Sequence, residues 1–92
     1  MRIVFRARAL RHLREIERHI GQDNPKAAAR VIVRLESAIN TLADHPFSAP
    51  AGTVRGTRQL TVSGSPDLVV HLVGDDEVTI LAVLHAARHI RS

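Results

Sequence analysis

The 92-residue chain is long enough for one domain with its own core, and it is basic, with a net charge of +4 and arginine as twelve of its thirteen Lys and Arg residues. The absence of Cys excludes a disulfide scaffold, a thiolate zinc site and a thiol nucleophile, and only two aromatics, Phe5 and Phe47, are too few for a platform that stacks single-stranded nucleic acid. No apolar run approaches the ~20 residues of a membrane span, and Met1–Phe5 is too short for a signal peptide's apolar region, so the expectation is a single cytoplasmic domain over 1–92 with no membrane partner.

In chain order, Arg2–Phe5 is a short extended segment with Ile3 and Phe5 on one face. From about Arg6 the period changes. Leu10, Leu13, Ile16 and Ile20 recur at spacings of three and four, which predicts an amphipathic helix ended by Gly21. Asn24-Pro25 then starts a second helix, with Asn24 as the cap and Pro25 at the first helical position. Its apolar stripe is Ala28, Val31, Ile32, Leu35, Ala38, Ile39 and Leu42, and His45-Pro46 stops it. Residues 46–53 form a Pro- and Ala-rich loop with Phe47 as its anchor.

The period then becomes two. Val54 to Val62 reads as a strand with Val54, Gly56, Arg58, Leu60 and Val62 on one face. Ser63–Pro66 is a turn. Leu68–Val73 and Val78–Leu84 are nearly continuous apolar strands joined at Gly74-Asp75-Asp76, and such runs suggest strands covered on both faces. The order β-α-α-β-β-β predicts an α+β fold, a helical hairpin packed on a small antiparallel sheet.

The charge is uneven along this order. Residues 1–35 carry nine cationic side chains and three acids, a net of +6, while the remainder is net −2. The excess lies on the helices, where Arg11, Arg14 and Arg18 point away from the apolar stripe, as a docking surface or a solvated face.

The residues allow limited chemistry. Gly56 and Gly64 are isolated, so no phosphate-cradling loop is present, and His12 and His19 lack the further ligands of a metal site. No cofactor or metal is expected. Arg58, His85 and Arg88 are the residues of interest: two guanidiniums and an imidazole can hold a phosphate and exchange a proton if the sheet brings them together. The competing reading has Arg58 paired with a carboxylate such as Asp67.

Four stretches taken together carry a resemblance: Asn24-Pro25-Lys26-Ala27-Ala28, Ile39 to Pro46, Arg55-Gly56-Thr57-Arg58-Gln59-Leu60, and Val78 to Arg88 with its Leu84-His85-Ala86-Ala87-Arg88 end. The chain resembles the RelE/ParE superfamily of type II toxin–antitoxin toxins, ParE-like branch. The resemblance implies a twisted antiparallel sheet joined by the first strand. It implies a cognate antitoxin, ParD-like, in a hetero-oligomer, with a C-terminal segment that wraps the toxin's groove. For the ParE branch it implies inhibition of DNA gyrase, a role in plasmid stabilization, no catalytic residues and no sequence-specific DNA binding. For the RelE branch it implies ribosome-dependent mRNA cleavage, with Arg58, His85 and Arg88 standing in for the usual basic residues and Tyr. A toxin fold that binds antitoxin without toxicity is the third implication. Arg55, Arg58, His85, Arg88, Arg11, Arg14 and Arg18 are the candidate target- or antitoxin-binding residues.

Overall fold

A computed structural model of the chain describes residues 1–85. Its elements are β1 (Arg2–Phe5), α1 (Ala7–Gly21), α2 (Pro25–Thr41), β2 (Arg58–Thr61), β3 (Asp67–Val73) and β4 (Glu77–His85), in the expected β-α-α-β-β-β order. Asn24 caps α2 as its sequence predicts: its Oδ1 accepts from the Ala27 N–H at 3.1 Å, with Pro25 at the first helical position.

The four strands form one sheet in the order β1-β4-β3-β2. The pairs β2–β3 and β3–β4 are antiparallel, as a run of hairpins requires. The first strand departs from the antiparallel expectation. It lies at the edge and pairs parallel with β4, Ile3 opposite Val78 and Phe5 opposite Ile80, so the sheet is mixed. The helical hairpin is the crossover that returns the chain to the same direction. The helices pack on one face of the sheet, where Leu35, Ile39, Leu42, Val62, Val69, Val78, Ile80 and Val83 close the core with Ala9 and Ile16. The double cover suggested by the apolar runs is absent among the described residues. Leu68, Val70, Leu81 and Leu84 instead line an open groove of about 440 Å³ that includes Arg8 and Val54.

Three local readings also change. Leu10 was expected on the buried stripe of α1, but Ala9 takes that place and Leu10 is exposed, a phase shift of one residue. Gly21 is the last residue of α1, as the sequence predicts, but it is not left-handed, and a Cβ there would meet Ala28 at an ordinary 3.7 Å. The strand predicted from Val54 begins only at Arg58. Gly56, at φ +86°, makes a turn in which the Thr57 N–H donates to Val54 O at 3.0 Å, and residues 51–57 are loop. No helix among the described residues is long and apolar enough to cross a membrane.

Candidate functional site

The geometry separates two of the residues that the sequence suggested might meet. Arg58 pairs with His71 at one level of the sheet, and His85 pairs with Asp67 four residues along β3. With β3 lying between β2 and β4, strand spacing sets Arg58 and His85 roughly 16 Å apart at Cα. Arg88 lies outside the described residues.

Arg58 is engaged elsewhere. Its Nη1 donates to Ala49 O at 2.6 Å, lies 3.5 Å from Phe47 O, and its guanidinium stacks 4.9 Å from the Phe47 ring centroid. The loop 46–53 is therefore tied to β2 by an arginine. Its buried anchor is Ala49 and not Phe47, whose ring is 62% exposed. The carboxylate partner once open to Arg58 is absent among the described contacts.

His85 has that carboxylate instead. Asp67 is fully buried at its side chain, and its Oδ1 lies 2.6 Å from His85 Nδ1. Its Oδ2 accepts from Ser65 Oγ, and the Asp67 N–H donates back to that hydroxyl at 3.2 Å. A carboxylate only accepts, so Nδ1 donates this bond and Nε2 faces away from it. This is the arrangement of an oriented acid–base imidazole. The cavity that His85 lines, with Ile16, His19 and Ile20, holds about 10 Å³, room for about one water and no nucleotide.

Two further histidines were not singled out for these positions. β1 ends opposite Ile80, so the β4 edge beyond it has no strand neighbour among the described residues; there His12 Nδ1 accepts from the Val83 N–H at 3.1 Å. His71 is 0% exposed within the core, and neither ring nitrogen has a hydrogen-bond partner among the described residues. Burial holds its pKa below the usual 6.5, the nearby polar backbone of Val69 and Pro46 opposes this only in part, and Arg58 adds to the lowering. His71 interrupts an otherwise apolar strand, which predicts an edge-facing or hydrogen-bonded histidine; it lies in the core, but without a hydrogen bond among the described residues. Arg11, Arg14 and Arg18 are exposed on α1, and Arg55 is exposed in the turn at Gly56.

The family model for the ParE toxin of the type II toxin–antitoxin system parDE matches residues 3–90. The chain belongs to the ParE toxin family. Y4kP of Sinorhizobium fredii, whose name marks it as a candidate toxin, is 41% identical over 85 residues, 92% of this chain and 88% of that protein. Toxin RelE2 of Caulobacter vibrioides is 37% identical over 86 residues, 94% of this chain and 96% of that one. Among solved structures, the fold of this ParE family member is similar to a chain of the chromosomal ParDE system from P. aeruginosa, with a TM-score of 0.84 at 20% identity, covering 92% and 95% of the two chains. A chain of the intact E. coli RelBE complex follows with a TM-score of 0.68 at 16% identity, covering 89% and 92%. The chain is thus a toxin of the ParE/RelE family.

Proposed function

We propose that this toxin acts as a ParE-type inhibitor of DNA gyrase in the cytoplasm, is neutralised by a ParD-like antitoxin in a hetero-oligomer, and serves plasmid stabilization. The observation that carries the reading is the state of the residues a nuclease would need. Arg58 is spent on the 46–53 loop, and His85 faces a cavity of about one water. A phosphodiester has no cation–imidazole pair to enter among the described residues. A binder needs no such pair, and the exposed arginines Arg11, Arg14, Arg18 and Arg55 remain available for contact with target or antitoxin.

Two observations favour the RelE-type alternative. Asp67 orients His85 as a general base would be oriented, and a 37%-identical relative bears the name Toxin RelE2. The test is a gyrase supercoiling assay beside a ribosome-bound mRNA cleavage assay with the same purified chain. Loss of supercoiling without mRNA cleavage is expected. Cleavage that His85→Ala removes, with supercoiling intact, overturns the proposal. Neither effect, together with antitoxin binding and no growth defect on expression, marks a non-toxic antitoxin-binding module.

A further inference from the structure

Seven residues apart on α1, His12 and His19 stand about 10 Å apart along one side of the helix, too far to share an ion. The structure gives each a different neighbour on β4. His12 Nδ1 takes the Val83 N–H, which sets this side of α1 against the edge of the strand. Two residues further along β4, on the same face as Val83, stands His85. His19 and His85 border one small cavity, and Ile16 and Ile20 of α1 line the rest of it. The helix and the last strand thus bring together two imidazoles that lie 66 positions apart in the chain.

We propose that His19 and His85 bind a divalent transition-metal ion of the Zn²⁺ class, with Asp67 as the residue that positions one ligand. His85 is already arranged for this. Its Nδ1 donates to the buried Asp67 carboxylate at 2.6 Å, and a metal-bound histidine characteristically gives its other ring N–H to a carboxylate in this way. A neutral ring held by that bond presents its lone pair at Nε2. His19 is exposed, so it can turn a ring nitrogen to within the ~2.0–2.1 Å of a zinc–imidazole bond without disturbing the core. The cavity, about 10 Å³, takes one ion or one water and nothing larger. Chemistry selects the ion. Imidazole suits Zn²⁺, Ni²⁺ and Cu²⁺, whereas Mg²⁺ and Ca²⁺ need oxygen ligands. No further His, Asp or Glu joins the two as a third ligand among the described residues, so water completes the coordination. The Asp67 charge offsets part of the repulsion from the +6 half of the chain. Bound there, the ion links α1 to the end of the last strand.

The test is calorimetric titration of the untagged full chain with ZnCl₂ at about pH 7.5, where an ordinary histidine is neutral. One ion per chain is expected. His19→Ala, at an exposed helix position, should weaken binding at least about tenfold, while His45→Ala, at an exposed position outside the cavity, should leave it unchanged. Asp67→Asn, checked for folding by circular dichroism, should weaken it by about 10–100-fold. Saturating Zn²⁺ should raise the melting temperature of the wild type and not of His19→Ala. In the wild type, Zn²⁺ should protect His19 and His85 together from acylation by diethyl pyrocarbonate, read by mass mapping, and leave His45 reactive. The proposal fails if the wild-type chain binds no Zn²⁺, if His19→Ala keeps the wild-type Kd within about twofold, or if Zn²⁺ leaves acylation of His85 unchanged. Wild-type affinity in Asp67→Asn would overturn the positioning role.

Discussion

Asp67 and His85 face each other directly across β3 and β4, with Oδ1 2.6 Å from Nδ1 and the carboxylate sealed from solvent. Ser65 closes the other side of the carboxylate. The three polar groups satisfy one another at the end of the core and tie the last strand to the turn before β3.

Removing both members should therefore cost less than the sum of their separate losses. His85→Ala leaves a buried carboxylate with one hydroxyl partner and is expected to destabilise the fold by about 2–4 kcal/mol. Asp67→Asn/His85→Gln should cost less than the sum of its single changes, because no lone charge stays buried. Chemical denaturation of the wild type, Asp67→Asn, His85→Gln and the double variant reads this coupling, and His85→Ala reads the cost of the lone carboxylate. Additive losses would show that the pair makes no net contribution beyond its separate packing.

The buried His71 sets a pH dependence. Its folded-state pKa lies below 6.5, so the unfolded chain binds the proton first as pH falls. Stability is complete above the unfolded value and is lost progressively as pH drops from there toward the lowered folded value. His71→Leu removes both unpartnered ring nitrogens, so it should raise the melting temperature near neutral pH and reduce the loss as pH falls through 6.5 and below. An unchanged slope in the variant would assign the acid sensitivity to other groups.

Arg58 should behave as a loop anchor. Arg58→Ala removes the 2.6 Å bond to Ala49 O and the support beneath Phe47, with an expected loss of about 1–3 kcal/mol and faster proteolytic nicking within residues 46–53. Phe47→Ala should cost less, since the ring is mostly exposed. Limited proteolysis with mass mapping checks the site of nicking. Unchanged cleavage in Arg58→Ala would mean that the loop is held by Ala49 packing and its backbone bonds, such as Gln59 N–H to Pro50 O at 3.0 Å.

The hinge between the helices rests on a local signal. Asn24→Ala leaves the Ala27 N–H without its side-chain acceptor and should destabilise by about 1 kcal/mol, while Asn24→Asp should nearly preserve the melting temperature. Thermal melts of both variants separate capping from a mere change of volume.

What could be read from the residues in order is local. Asn24-Pro25 marks a helix start because a short polar side chain and a missing N–H suit the unpaired donors there, whatever the rest of the chain does. The change from a three-to-four period to a period of two placed the helices before the three strands, and the four dispersed motifs pointed to the family that residues 3–90 match. Relationships across the sheet were not legible in this way. That β1 runs parallel to β4, that Asp67 meets His85 and not Arg58, and that one face of the sheet is left open among the described residues all depend on strand order and register. Register is chosen by how the whole set of inward side chains fills the space under the helices, and a one-residue slip would turn Asp67 and His71 out of the core together. Composition excluded the thiolate, disulfide and base-stacking chemistries. Packing then decided which of the remaining cations and imidazoles stand free and which are consumed by the fold.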